Sequence, residues 1–303
     1  MKTSHNTSKN TNIYLVIGGS GYLGSYVIKN LLSKGKEVLI TYNTEGYVCT
    51  NTKVKSYHLN LSSFKSIDKF CEQINEFEKL NVIFLAAYHH PDKIKKNPNL
   101  GFHINNTCYS YILSKLKNLN TLYYSSTDSI YGNNIGKEIF SESAIANPKN
   151  LYGKQKFIAE QITLAHGFNV IRYPFLIGPS ESYKEHFYDI ISKSLKEKTD
   201  INLVCDSYRN SLDFNQASLF MIDLIENFSE KSLEVINICS DEALTKYDVG
   251  VKIAESLNLN DQCLKPIKFS DFSEFNEGRA QNTIMSNKKL KDLLQIKKIL
   301  LKI

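Results

Sequence analysis

The run Gly18-Gly19-Ser20-Gly21-Tyr22-Leu23-Gly24 constrains this chain more than any other stretch of it. It follows Ile13-Tyr14-Leu15-Val16-Ile17, an unbroken apolar segment of the kind that forms a strand buried on both faces. It leads directly into residues 22–32, which have helical spacing and stop at Lys34-Gly35, where glycine can take the left-handed cap conformation. A helix N-terminus presents unpaired backbone N–H groups and the positive end of its dipole, so it attracts pyrophosphate. Glycines there permit the sharp turn, the close approach of backbone to phosphate, and tight packing of helix on strand. The spacing is Gly-x-x-Gly-x-x-Gly rather than Gly-x-Gly-x-x-Gly, and such a motif alone is weak. Set between an apolar strand and an amphipathic helix, it meets the context required of a dinucleotide site; a tight structural turn is the competing reading.

The alternation continues. Residues 37–41, 54–59, 82–86, 121–125 and 169–172 read as further strands, and 63–77, 102–116 and 154–166 as helices between them. In the first of these helices Phe64, Ile67, Phe70, Cys71 and Ile74 share one face. Strands and helices alternating in this way indicate the α/β class: a doubly wound parallel Rossmann sheet. After Pro174 the pattern loosens, with strands at 201–204 and 233–238 and helices at 216–227 and 245–257. The expected organisation is a flexible leader (1–11), a dinucleotide-binding domain (12–174), and a smaller C-terminal lobe (175–303) with elements returning to the first domain. At roughly 100–200 residues per domain, 303 residues accommodate this division.

Composition narrows the function. The chain is 42% hydrophobic and 22% charged, which excludes a disordered polymer. No apolar stretch approaches the ~20 residues of a membrane-spanning helix, and residues 1–12 lack the apolar segment of a secretory signal. No membrane partner is expected, and the expected location is cytoplasmic. The net charge of +6 comes from 37 basic and 31 acidic residues spread along the chain. A nucleic-acid binder concentrates its basic residues on one face, so no nucleic-acid partner is expected. The densest basic run, from Lys288-Lys289 to Lys297-Lys298, reads as the solvated side of a terminal helix. A mild positive excess suits an anionic small-molecule substrate. Cysteines 49, 71, 108, 205, 239 and 263 form no CxxC pair, and the histidines no HExxH pattern. No metal site is expected, and the thiols read as reduced.

A second constellation lies downstream. The fifth strand ends in Ser125-Ser126-Thr127-Asp128-Ser129, followed by Tyr131-Gly132, and twenty residues on comes Asn150-Leu151-Tyr152-Gly153-Lys154-Gln155-Lys156. Tyr152 and Lys156 are four apart and share a helix face. A nearby ammonium favours the ionised phenol, which is expected to lower the Tyr152 pKa and make it a general acid or base. Thr127, at the carboxyl end of a strand where open α/β sheets place their sites, can hydrogen-bond the same substrate oxygen. At the end of the second strand, an acid about twenty residues past the glycine loop would favour NAD. This chain has Thr41-Tyr42-Asn43-Thr44 there, with Glu45 beyond and no arginine. NADP(H) is the preferred cofactor, and NAD(H) stays open.

These segments, with Arg172-Tyr173-Pro174-Phe175-Leu176-Ile177-Gly178-Pro179, follow one another in the order and at the spacings of the extended short-chain dehydrogenase/reductase family, which residues 12–180 resemble. The resemblance implies that Thr127, Tyr152 and Lys156 are catalytic, with Lys156 also holding the nicotinamide ribose. It implies cofactor contacts from Gly18, Ser20, Gly21, Tyr22, Leu23 and Gly24. Others are implied from Asn43, from Asn60 and Leu61 near the adenine, and from Ala86, Ala87, Asn105 and Tyr173. Within the family the chain is similar to the dTDP-4-dehydrorhamnose reductase-like group. Ser126-Thr127-Asp128, the Asn150–Lys156 block, and Arg279-Ala280-Gln281-Asn282-Thr283 followed by Lys288-Lys289-Leu290 carry that similarity. Ala280 replaces the group's proline, and Asp213-Phe214-Asn215-Gln216 departs from a His-Val-Asp-Asp type of segment.

The resemblance implies an NAD(P)H-dependent oxidoreductase that reduces a nucleotide-linked keto sugar of the 4-keto-6-deoxyhexose type, in surface polysaccharide sugar biosynthesis. Thr127, Asp128, Arg209 and Arg279 are the candidates for binding this nucleoside-diphosphate sugar. A nucleotide-sugar epimerase of the same family and a non-catalytic NADP-binding regulatory subunit are the alternatives, and a homodimer stays open. Related dehydratases carry Thr-Asp-Glu where this chain has Thr127-Asp128-Ser129, so net reduction rather than loss of water is expected.

Overall fold

The computed structural model describes residues 13–43, 51–134, 138–180, 185–228, 232–271 and 278–303. The leader, Thr44, Glu45 and Cys49 lie outside the described residues. Strand β1 (Ile13–Ile17) runs into helix α1 (Tyr22–Ser33), followed by β2 (Glu37–Tyr42), β3 (Val54–His58), α2 (Phe64–Ile74) and β4 (Leu80–Phe84). Two short helices, α3 (Pro91–Lys96) and α4 (Pro98–Phe102), and a π-helical turn (His103–Cys108) precede α5 (Tyr109–Lys115). Next come β5 (Leu119–Thr127), α6 (Leu151–Ala165), β6 (Asn169–Tyr173), β7 (Phe175–Ile177), α7 (Phe187–Glu197), β8 (Ile201–Val204) and β9 (Arg209–Asp213). The chain ends with α8 (Phe214–Phe228), β10 (Val235–Asn237), β11 (Ala243–Leu244), α9 (Lys246–Leu257), β12 (Leu264–Ile267) and α10 (Lys288–Leu294).

Seven strands form one parallel sheet in the order β10-β6-β5-β4-β1-β2-β3, the doubly wound architecture expected. The order reverses at β1, between β2 and β4, and that switch point opens a crevice at the carboxyl ends of the strands. Alternation along β1 explains why both faces are covered. Tyr14 and Val16 enter one apolar layer with Val27 and Leu31 of α1 and Leu224 and Ile225 of α8. Leu15 and Ile17 enter the other, with Ile67 and Phe70 of α2 and Ile112 of α5. A third cluster joins Ile177, Ile191, Leu203, Val249, Ile253 and Leu264 beside two small sheets, β11-β9-β7 and β12-β8. The chain after residue 175 also supplies β10 to the edge of the main sheet and α8 to the side of α1.

Several elements depart from the sequence expectation, each for a local reason. Helix α2 starts one residue later, because the Ser63 side chain accepts from Ser66 N as its cap, and it stops at Ile74. The single helix expected at 102–116 is divided by the π-helical turn. Strand β5 extends to Thr127, which places that residue at its carboxyl end. Helix α6 begins at Leu151 rather than 154, because the Asn150 side chain accepts from Gly153 N at 2.8 Å. Tyr152 therefore sits in its first turn. The basic run is not one solvated helix face: α10 ends at Leu294, where Gln295 turns left-handed, and Lys289 points inward to donate to the Leu233 and Val235 carbonyls at 2.6 and 2.9 Å. One carbonyl lies just before the edge strand β10 and the other at its first residue, and the lysine ammonium satisfies both.

Candidate functional site

The glycine loop is built to two different tolerances. Gly18 has φ +92°, and a Cβ there would lie 2.8 Å from Ala86 N. A Cβ on Gly24 would lie 2.6 Å from the Gly19 carbonyl oxygen. Both positions need glycine for the protein's own packing. Gly21 does not: its φ is −85°, and the nearest atom to an added Cβ is the Gly18 carbonyl oxygen at 3.4 Å. It lines the cleft at the start of α1, which no side chain caps among the described residues. A bare backbone surface at a helix N-terminus, smooth where internal packing does not require it, fits a pyrophosphate. Thr41 supports the turn by accepting from Gly18 N at 2.9 Å.

The cleft has a volume of about 560 Å³, and one wall is this loop. Gly18, Gly21, Tyr22, Leu23, Gly24, Thr127, Asp128, Tyr152, Tyr173, Arg209 and Arg279 all line it. The other expected site residues lie outside its lining. Ser20 is in the loop itself; Ala86 packs against Gly18; and Asn105 buttresses the segment after β4, accepting from Tyr88 N at 2.8 Å and donating to the Tyr88 carbonyl at 2.9 Å. Asn60 caps its own turn by accepting from Ser62 N, Leu61 joins the apolar layer, the Ala87 carbonyl faces the His89 ring, and Asn43 is exposed after β2. The Tyr173 hydroxyl donates across to the Ala217 carbonyl at 3.3 Å.

At the floor of the cleft, Thr127 ends β5 and Tyr152 opens α6, with the Thr127 hydroxyl beside the phenol. Lys156, one turn further along α6, is 3% exposed; its Nζ donates to the Ser125 carbonyl and lies 4.1 Å from the centre of the Tyr124 ring. Burial pulls this ammonium down to about 7, and the Glu160 charge pulls it the other way. The Tyr152 phenol is pushed up, by burial first and by the Asp128 carboxylate second, while the Thr127 hydroxyl opposes them. This corrects the expectation that Lys156 lowers the phenol: the ammonium is turned onto the Ser125 carbonyl, and desolvation of the phenolate outweighs it. At neutral pH the phenol holds its proton, so it is a donor.

The two arginines reach the same cleft from separate elements, and each meets a carboxylate. Arg209 Nη1 donates to Asp128 Oδ2 at 2.6 Å and its Nη2 to the Ala280 carbonyl at 3.0 Å. Arg279 Nη2 donates to Asp92 Oδ2 at 3.1 Å. Asp128 Oδ1 also accepts from the Thr127 and Ser129 hydroxyls at 3.2 and 3.3 Å. His186, Lys149 and Lys246 also line the cleft and were not among the expected site residues. No cluster of three or more His, Cys, Asp or Glu is placed to hold a metal among the described residues. No helix among them is long and apolar enough to cross a membrane.

Fold and cleft together define a Rossmann-like α/β protein of the extended short-chain dehydrogenase/reductase type. More particularly, the chain belongs to the family described as RmlD substrate binding domain, whose model matches residues 12–299. Among solved structures it resembles a hypothetical dTDP-4-dehydrorhamnose reductase from Sulfolobus tokodaii, with a TM-score of 0.78 and 21% identity over 95% of this chain and 97% of that one. The dTDP-4-dehydrorhamnose reductase of Bacillus anthracis in complex with NADP gives a TM-score of 0.76 and 18% identity, covering 95% of each chain. By sequence it is similar to methionine adenosyltransferase 2 subunit beta of Danio rerio, 25% identical over 84% of this chain and 76% of that protein. It is also similar to the dTDP-D-glucose 4,6-dehydratase of Dictyostelium discoideum, 29% identical over 79% of this chain and 61% of that protein.

Proposed function

We propose that this protein is an NAD(P)H-dependent reductase of a nucleotide-linked keto sugar of the 4-keto-6-deoxyhexose type. The observation that carries the reading is the cleft floor, where a proton-holding phenol and a threonine hydroxyl lie side by side, opposite a bare helix N-terminus and with the buried Lys156 one helical turn behind the phenol. Gly18, Gly21 and Gly24 would hold the cofactor's pyrophosphate, and the absence of an acid at Thr41, Tyr42 and Asn43 favours NADP(H) over NAD(H). The cofactor supplies a hydride when bound. Tyr152 donates its proton to the carbonyl oxygen, Thr127 donates a hydrogen bond to the same oxygen, and Lys156 holds the nicotinamide ribose. Arg209 and Arg279, with the lobe after residue 175, bind the diphosphate. The structural neighbours include complexes with NADP and with NAD, which supports a nicotinamide dinucleotide without choosing between the two. A role in polysaccharide sugar synthesis, in the cytoplasm, follows from the same reading.

Elimination of water fits the site less well, although a dehydratase is among the relatives. It needs a base and an acid beside the keto sugar. Ser129 is too weak a base near neutral pH, and both Asp128 oxygens are already engaged, one by Arg209 and the other by two hydroxyls. One observation favours a second reading. Several sequence relatives are named as the beta subunit of another enzyme, which fits a subunit that binds NADP without turnover. Incubation with a nucleotide-linked 4-keto-6-deoxy sugar and NADPH separates the cases. Stoichiometric loss of NADPH absorbance with a two-hydrogen mass gain supports reduction. An isomeric product with unchanged cofactor means epimerisation, and thermal stabilisation by NADPH with no product from any keto sugar means a binding subunit.

A further inference from the structure

Behind the cleft, α6 carries a third residue on its functional face. Tyr152, Lys156 and Glu160 follow at intervals of one turn, and exposure falls along them from half-buried through 3% to 0%. A carboxylate so deep must be fully engaged. Arg172 of β6 donates Nε to both Glu160 oxygens at 3.0 and 3.2 Å and Nη2 to Oε2 at 2.7 Å, and the Ser126 hydroxyl donates to Oε1. Arg172 Nη1 continues to the Tyr131 hydroxyl at 2.8 Å, and that hydroxyl donates to Asn237 Oδ1 of β10 at 2.8 Å. Apolar residues of similar volume are often as stable as a buried ion pair, so stability alone does not account for this one. Its position does. Ser126 stands between Ser125, whose carbonyl receives Lys156, and Thr127, whose hydroxyl lies beside Tyr152.

We infer that Glu160 is a positioning residue for the reactive group. Clamped by Arg172, it anchors Ser126 and so sets the Ser125 carbonyl and the Thr127 hydroxyl on either side of that residue. The inference rests on the reading of Thr127, Tyr152 and Lys156 given above. The groups that face Lys156 are Glu160 from its own helix and the Tyr124 ring from β5, with Tyr109 of α5 behind that ring at 4.7 Å. Glu160 is the one carboxylate among these. Burial alone works against the ammonium; the Glu160 charge and the Ser125 carbonyl work for it. The clamp therefore governs how much of Lys156 is charged near neutral pH.

The test follows Lys156 directly, by NMR titration of protein labelled at the lysine ε carbon, with the resonance assigned by its loss in Lys156→Met. Ser126→Ala frees the end of β5 and should lower the Lys156 midpoint by about half a pH unit, through a weaker hydrogen bond to the charged form. The pair replacement Glu160→Met with Arg172→Met removes both buried charges while filling the space, and should lower it by about one pH unit. Ser126→Thr keeps the hydroxyl and should restore the wild-type midpoint. An unchanged midpoint in Ser126→Ala, or in a folded pair variant, overturns the inference; if the pair variant does not fold, Ser126→Ala decides. Midpoints that move as expected in a protein that turns over no keto sugar would leave this inference standing and remove the reductase reading. Turnover that falls in Ser126→Ala with a fixed midpoint would do the reverse.

Discussion

Gly18 and Gly21 are three residues apart in one loop, yet replacing each by alanine should damage different properties. Gly18→Ala forces a side chain into φ +92° and brings its Cβ to 2.8 Å from Ala86 N, a backbone atom that cannot swing aside. Left-handed strain of about 1–3 kcal/mol adds to overpacking of about 1–3 kcal/mol, so a loss of about 2–6 kcal/mol is expected. At roughly 2–4 °C per kcal/mol, the melting temperature falls by at least about 4 °C. Gly21→Ala meets only an ordinary contact at 3.4 Å and keeps an extended φ of −85°. Reduced freedom of the unfolded chain, about 0.4–1 kcal/mol, offsets the poorer helix cap, about 0.5–1 kcal/mol, and the melting temperature should stay within about 2 °C. The new methyl, however, occupies the surface that a pyrophosphate would approach. Loss of a hydrogen bond to a charged group costs about 1.5–3 kcal/mol, so NADPH should bind about 10–100-fold more weakly. Thermal unfolding without ligand and fluorescence titration with NADPH measure the two effects separately. Gly21→Ala binding NADPH like wild type would refute the placement of pyrophosphate on α1, and an unchanged melting temperature in Gly18→Ala would refute the strain argument.

Three further outcomes are expected. Tyr152→Phe should lower turnover by about 10²–10⁴-fold with NADPH affinity unchanged, because only the transferable proton is removed; steady-state rates and a binding titration check it. NADPH should raise the melting temperature more than NADH at equal concentration, since Thr41, Tyr42 and Asn43 offer no acid to repel a 2′-phosphate. His186 is packed against Tyr22 and Phe214 with ring centres 4.8 and 5.1 Å away, and burial lowers it from 6.5 to about 4. The unfolded chain takes up this proton first, so its contribution is present above pH 6.5 and lost as pH falls toward about 4. Denaturation in urea across that window should show the slope, and His186→Phe should flatten it.

What spacing along the chain determines was legible, and what distant segments determine was not. The glycine loop and the Tyr152–Lys156 pair are local patterns, so the order of strand, turn and helix around them could be read before any contact was known. Asp128 and Arg209 are separated by 81 positions, and Asp92 and Arg279 by 187, so neither pairing leaves a local trace. Glu160 reads as one more polar position of α6 until β6 brings Arg172 onto it. Lys289 reads as solvated until the chain entering β10 presents two carbonyls. The Tyr152 phenol shows the deeper limit. Four-residue spacing says that Lys156 shares its helix face, but charge stabilisation depends on where the ammonium points and how much water is left, and only the packed fold sets those. Once the ammonium is turned to Ser125 and the phenol is desolvated, the phenol's pKa shifts upward instead of downward as the spacing argument expected. The phenol keeps its proton at neutral pH, as the proposed reduction requires of a group that is to protonate the developing alkoxide.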